Sequence, residues 1–384
     1  MKRKLLSLLL ALSMAFALAA CGGGDTETPP PSSSPSETPS ESPSETPSES
    51  PSEEPSESET PANTPAPAPA LSGTMKVVAT SEDYVTLFDA FTQETGVKVE
   101  LLSMSSGEVL SKLRAEGGTP SADLWFGGGI DAFMSAKEDG LLEQVTFAAA
   151  ADLADEFKDP DGFWFSKGIT IVGFLLNDAL MDELQLTAPA SWADLTNASY
   201  AGEIIMSNPA VSGTNYAVVN ALLQTLGEEE GWNYFDSLNA NIAYYGKRGS
   251  DPLNKTGAGE YAIGISYIDR GVEAQAEEKG LTIVYPSDGI PWVPEGVAVF
   301  KNADNVDAAK YFVEWLFSSD DNLRMLAEID KKDGVKLVKP SLEGVTLRYD
   351  TGILMKEDLS LFGTQRTEIL ERFETLMGDK AADE

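Results

Sequence analysis

The chain has 384 residues, with 62 Asp and Glu against 27 Lys and Arg and no histidine, for a formal net charge of −35 at pH 7. An acidic surface of this size argues against nucleic acid as a partner. The missing imidazole removes Ser-His-Asp and Cys-His catalysis and His-held zinc or iron, and the single cysteine removes disulfides and thiolate metal sites.

In chain order, Lys2, Arg3 and Lys4 precede an apolar run from Leu5 to Ala20. The run is short for a membrane span and has the flanks of an export signal. It ends Leu18-Ala19-Ala20-Cys21, followed by three glycines. This resembles a bacterial lipoprotein signal, in which a cysteine at the cleavage point becomes the lipidated N-terminus. Residues 1–20 are therefore read as a signal peptide and Cys21 as the diacylated (palmitate-bearing) membrane anchor. An ordinary secretory signal with a chance cysteine is the alternative. Residues 21–72 are almost entirely Pro, Ser, Glu and Thr, with the unit Ser-Glu-Thr-Pro-Ser-Glu-Ser-Pro recurring. Such a segment has nothing to bury and is expected to be a disordered tether, with a reach on the order of 100 Å when extended.

The remaining chain is long enough for two lobes. It alternates short apolar runs with amphipathic stretches, so its fold class is α/β. Met75–Thr80 reads as a strand, Ser81 as a helix cap, and Tyr84, Leu87, Phe88 and Phe91 as one helix face. Val97–Leu102 is a second strand, Ser106 caps the next helix, and Ala122–Phe126 is a third strand closed by Gly127-Gly128-Gly129. The apolar run Ile169–Leu176 is expected to cross between lobes. Glu203–Ser207, Ile242–Tyr245, Ala262–Tyr267 and Thr282–Tyr285 are strands of a second set, and Gly296–Phe300 crosses back. Helices after Asn305 and over Ile369, Leu370, Phe373 and Leu376 are expected to cover the first lobe. The division is 73–175 for lobe 1, 176–293 for lobe 2 and 294–384 for the return, with the two crossings as a hinge.

Three strand-to-helix turns carry small polar residues: Ser105-Ser106-Gly107-Glu108, Ser207–Tyr216 and Ser266-Tyr267-Ile268-Asp269-Arg270-Gly271. Each offers backbone N–H groups and hydroxyls at a helix N-terminus, which is how proteins hold phosphate, phosphonate or carboxylate without a metal. Taken singly, each is more often an ordinary N-cap. None fits a Walker loop or a dinucleotide fingerprint.

The segments Ser105–Leu110, Ala122–Gly128, Ser191–Leu195, Asn208-Pro209 with Ser212-Gly213-Thr214, and Gly259–Tyr267 resemble family 1 extracellular solute-binding proteins of ABC importers. The branch they resemble binds ferric iron, aminoethylphosphonate, sugar phosphates, thiamine or polyamines. The resemblance runs over nearly all of residues 75–375. It implies a two-lobed type II periplasmic-binding-protein fold, with an interlobe cleft holding the ligand. Carried over, the ligand residues are Ser105, Ser106, Gly128, Gly129, Ser212, Gly213, Thr214, Ser266 and Tyr267. Where iron-binding members show two adjacent tyrosines, Tyr267 here precedes Ile268, and ferric iron is not the expected ligand. Organophosphate members show His-Asp where this chain has Asp269-Arg270. Arg270 is either an oxyanion grip or a surface salt bridge, and Lys247 and Arg248 raise the same question. Trp125, Trp164, Trp292 and Tyr216 are either cleft or core, core being the commoner fate of such residues.

The expected function is therefore that of an ABC-importer binding lipoprotein, monomeric and not an enzyme, without metal or cofactor. Its partners are a small anionic solute and a membrane permease, at the outer face of the cytoplasmic membrane. The anionic solute is expected to be of phosphonate or organophosphate type, with a ferric-iron, thiamine or polyamine carrier of the same family as the alternative. A surface enzyme working through carboxylates, or an adhesive protein explaining the tether, are the readings from other classes.

Overall fold

The computed structural model describes residues 71–380. The signal peptide, Cys21 and nearly all of the expected tether lie outside the described residues.

The first strand, β1 (Thr74–Ala79), is followed by a short turn of helix in which the Ser81 hydroxyl accepts from the Asp83 N–H. Helix α1 (Val85–Thr95) buries Leu87, Phe88 and Phe91 on one face and stops at Gly96, whose φ of 79° is left-handed. Strand β2 (Lys98–Ser103) lies parallel to β1. Helix α2 (Ser106–Ala115) starts at the residue expected to cap it, so its cap lies one residue earlier. Ser105 is the N-cap, and both its N–H (2.8 Å) and its hydroxyl (2.7 Å) donate to Glu108. Ser106 is thereby left with its own hydroxyl free of the cap. Strand β3 (Leu124–Gly129) takes in the three glycines that were expected to close it, and helix α3 (Ile130–Glu138) begins directly from Gly129.

After the short β4 (Leu142–Glu143), the 13-residue β5 (Phe165–Asn177) is buried along its whole length. It leads through α4 (Asp178–Glu183) to the second set: β6 (Ile204–Ser207), α5 (Gly213–Leu226), α6 (Glu228–Asn241), β7 (Ile242–Gly246), α7 (Asp251–Gly257), β8 (Ile263–Ile268), α8 (Arg270–Lys279) and β9 (Leu281–Val284). Strand β10 (Trp292–Phe300) returns antiparallel to β5. Strand order is β2-β1-β3-β10-β5-β8-β6-β7, with β4 on β10 and β9 on β5. The β1–β2, β1–β3, β6–β7 and β6–β8 pairs are parallel. The two crossing strands join the sets antiparallel, so both lobes hang on β5 and β10.

Helices α9 (Val306–Ser318), α10 (Asp320–Asp330) and α11 (Val335–Val338) follow. Helix α9 covers the first lobe as expected, with Phe312 4.9 Å from Phe88 between ring centroids. The last helices, α12 (Leu361–Thr364) and α13 (Arg366–Met377), correct the expectation. Phe373 of α13 packs against Phe235 (5.6 Å), Tyr245 (5.7 Å) and Trp232 (6.5 Å), all in the second set. The buried stripe is Ile369, Phe373 and Met377, one residue every four, while Leu370 and Leu376 are half-buried. It seals the apolar face of α6, which would otherwise stand in water.

Candidate functional site

The turns at the carboxyl ends of β1, β2, β3 and β6 converge on one cavity of about 240 Å³ between the lobes. Ser105, Ser106, Gly128 and Gly129 line one wall and Ser212, Gly213 and Thr214 the other, with Tyr267 and Asp269 at the far end. The N-termini of α2, α3 and α5 all meet this space. Ser212 caps α5 by accepting from the Asn215 N–H at 3.3 Å. Contact across the lobes is backbone to backbone here: a methyl group on Gly213 would lie 2.8 Å from the Gly129 nitrogen. Glycine is required at this approach, and it leaves peptide N–H groups as the chemistry of the wall.

Two of the expected residues lie elsewhere. Successive side chains of a strand point to opposite faces. Tyr267 of β8 takes the cavity side, so Ser266 faces away, wholly buried. Its hydroxyl has no partner among the described residues. Arg270 is engaged behind the cleft. It donates to the Ala327 carbonyl (2.8 Å) and to Glu328 (3.2 Å), and its guanidinium lies 3.7 Å from Asp333. Its salt-bridge reading is the one the structure bears out. The open guanidinium is that of Arg248, which lines the cavity and has no side-chain partner among the described residues. Asp251 accepts from the Arg248 N–H (3.1 Å), and the Arg248 carbonyl accepts from Ser207 (2.6 Å), fixing the turn that carries it. None of the four aromatic residues lines the cleft; Trp125, Trp164 and Tyr216 are core and Trp292 is half-buried beside it. Trp125 stacks on Phe133 at 3.9 Å, Tyr216 donates to the Phe362 carbonyl (2.9 Å), Trp292 donates to the Met355 carbonyl (2.9 Å), and Trp164 is buried.

Sequence reading missed the floor of the cleft, a buried network of four charges. Lys167 of β5, wholly buried, donates to Glu295 of β10 (2.8 Å) and to Asp330 (2.6 Å). Lys332 donates to the other Glu295 oxygen (2.8 Å) and to Thr170 (2.8 Å). The Tyr84 hydroxyl donates to Asp330. Burial alone would push the Glu295 carboxyl up, but Lys167 and Lys332 outweigh it and hold it well below the usual carboxylate range. Burial likewise opposes charge on Lys332, and Glu295 more than restores it, so both lysines stay cationic. With two cations against two anions, the floor is neutral.

At the far end, burial and the Asp269 carboxylate raise the pKa of Tyr267, which keeps its hydroxyl protonated. Asp83 bears on the same hydroxyl from the first lobe. Among the described residues, no group of three or more His, Cys, Asp or Glu is placed to hold a metal ion. The cavity therefore offers peptide dipoles, hydroxyls and one open guanidinium on one side, and two carboxylates beside a phenol on the other.

Residues 86–334 match the family model described as bacterial extracellular solute-binding protein. The chain belongs to that family. A Haemophilus influenzae protein named only as uncharacterized is 30% identical to this solute-binding protein over 236 residues, 60% of this chain and 68% of the other. One from Sinorhizobium fredii, named as a probable ABC transporter periplasmic-binding protein, is 28% identical over 235 residues, 59% of this chain and 64% of the other. The chain thus spans about two thirds of these relatives. Among solved structures, the periplasmic binding protein AfuA of Actinobacillus pleuropneumoniae, with exogenous fructose-6-phosphate bound, superposes with a TM-score of 0.73 at 27% identity. That superposition covers 79% of this chain and 98% of AfuA. The fold of this solute-binding protein is accordingly the two-lobed α/β fold of periplasmic binding proteins, and its family and fold are those of transport proteins, which work outside the cytoplasm.

Proposed function

We propose that this protein captures a small organophosphate or phosphonate in the interlobe cleft and delivers it to an ABC permease, held at the membrane by a lipid on Cys21. The observation that carries the reading is the meeting of three helix N-termini, the hydroxyls of Ser106, Ser212 and Thr214, and Arg248, unpaired among the described residues, around one cavity. Positive helix ends and peptide N–H groups stabilise an oxyanion, and closure of the lobes over it would shield each charge-assisted hydrogen bond from water. Asp83, Asp269 and Tyr267 would accept or share hydrogen bonds with hydroxyl or amino groups on the rest of the solute. The likeness to AfuA with a sugar phosphate bound supports the same chemistry.

The test is thermal unfolding with fructose 6-phosphate, 3-phosphoglycerate, 2-aminoethylphosphonate, thiamine, spermidine and ferric citrate. A true ligand at one hundred times its Kd adds about 2.7 kcal/mol of stability. One of the first three compounds is expected to give the largest shift. A shift from ferric citrate or spermidine alone would remove the oxyanion reading. With the compound so found, Arg248→Ala is expected to weaken binding about tenfold, one lost charge-assisted contact. Arg270→Ala should leave affinity within about twofold, since its guanidinium is already bound to Ala327 and Glu328. Calorimetry on the two variants decides between them, and the reverse order would mean that the cleft is entered from the other side of β8.

A further inference from the structure

A buried acid lies directly beneath the proposed oxyanion cradle. Asp131 stands in the first turn of α3 and is wholly buried. One of its oxygens, Oδ1, would lie 2.6 Å from a methyl group on Gly129 and 2.9 Å from one on Gly213. Those two glycines line the cavity, so the carboxylate is one peptide thickness away from it. Oδ1 has no hydrogen-bond partner among the described residues. The other oxygen, Oδ2, accepts from Arg366 at 2.7 Å. Arg366 opens α13, is itself buried, donates to the Ala210 carbonyl at 3.3 Å, and sits 5.7 Å from the Tyr216 ring centre. It touches no part of the cavity.

We infer that Arg366 is a positioning residue for oxyanion capture: it cancels the Asp131 charge behind the cradle and pins the 208–211 turn, so that α3 and α5 present their N-termini to the ligand together. The inference rests on the oxyanion reading of the cleft. An uncancelled carboxylate at this place would repel the bound anion through a low-dielectric wall, where screening by water and salt is weak. Arg366 and Tyr216 are the charged or titratable groups that face Asp131. Helices α2, α5 and α12 and strand β10 also pack on α3. α12 brings Leu361, Phe362, Gly363 and Thr364, none of which titrates in the working range. The charged groups of α2 and β10 are engaged elsewhere: Glu108 with Ser105, Lys112 with Glu116, Arg114 with Asp139, and Glu295 with Lys167 and Lys332. Burial raises the Asp131 pKa and Arg366 opposes the rise. Without Arg366 the carboxyl becomes neutral as pH falls and charged as pH rises.

The experiment uses inorganic phosphate, the group the proposed solutes share or mimic, and repeats each pH with sulfate, whose charge does not change between pH 5 and 8, so that titration of Asp131 is separated from that of the ligand; affinities are expressed relative to the parent protein. Arg366→Met should lose about tenfold or more at pH 8, and the loss should shrink towards pH 5. Adding Asp131→Asn to that variant should restore binding to within about threefold. Asp131→Asn alone leaves a cation beneath the cradle and should bind phosphate more tightly than the parent. This last arm decides the matter even if Arg366→Met fails to fold. A pH-independent loss without rescue, unchanged binding in Arg366→Met, or binding no tighter than the parent's in Asp131→Asn would overturn the inference while leaving the oxyanion cleft standing. A parent protein that binds no phosphate would instead remove the cleft reading, and the inference with it.

Discussion

Lys167→Met is expected to destabilise the folded protein by about 3–5 kcal/mol, the cost of leaving a buried charge without its partner. Methionine keeps the length of the lysine stem, so packing between the rings of Tyr84 and Phe126, 5.0 and 5.5 Å from the ammonium, changes little. What changes is charge: Glu295 and Asp330 would face Lys332 alone. Adding Asp330→Asn removes the surplus anion and leaves Glu295 with Lys332. This double variant should regain more than half of the loss. Urea unfolding without ligand measures both, and a single-variant loss under about 1 kcal/mol would mean that water reaches the network. The pH dependence follows from the same charges. The Glu295 carboxyl is held below its unfolded value, so its contribution is present above the ordinary carboxylate range and disappears only as pH falls through its lowered folded pKa. Lys167 and Lys332 have raised pKa values, so their contribution is full below the unfolded lysine value of about 10.4 and is lost above it. The parent should therefore hold a stability plateau from mildly acidic to mildly alkaline pH, and Lys167→Met should lower it throughout.

The elements were legible because burial writes a period into the sequence. The stripe of Tyr84, Leu87, Phe88 and Phe91, and the strands beginning near Met75, Val97 and Glu203, fall where expected to within two residues. The same logic misplaced Ser266. Tyr267 and Ser266 cannot both face one cleft from one strand, and the family resemblance named both without choosing a face. A stripe tells which side of a helix is buried but not against what, so α13 was assigned to the wrong lobe. Arg270 and Arg248 look alike in sequence. Only the carbonyl of Ala327 and the carboxylate of Glu328, brought near by the fold, show that the first is occupied. The charged floor was invisible for a related reason. Lys167 meets Glu295 and Asp330 across 128 and 163 residues of chain, and no local pattern marks such a pair.

Gly107→Ala is expected to leave the fold at least as stable and to weaken ligand binding by up to about 100-fold. Gly107 lies in the first turn of α2 in the first lobe, facing the 208–211 turn of the second. A methyl group there would sit 2.0 Å from the Ala210 carbonyl oxygen and 2.8 Å from the Val211 Cα. Both are backbone atoms, with no rotamer to move aside, so the lobes themselves must part. Within α2 the change is favourable, because alanine stiffens a helix that glycine loosens by up to about 1 kcal/mol. Overpacking costs about 1–3 kcal/mol, and here that cost falls on closure, which ligand must then supply. At the upper end it equals about a hundredfold in affinity. The signature is a split: unfolding temperature without ligand unchanged or raised, affinity strongly reduced, and no ligand-induced contraction in small-angle scattering. A fall in both stability and affinity would mean that α2 and the 208–211 turn are locked together even without ligand, so that this contact belongs to the resting fold. Parent-like affinity would mean that the lobes bind solute without approaching as closely as the glycine contacts require.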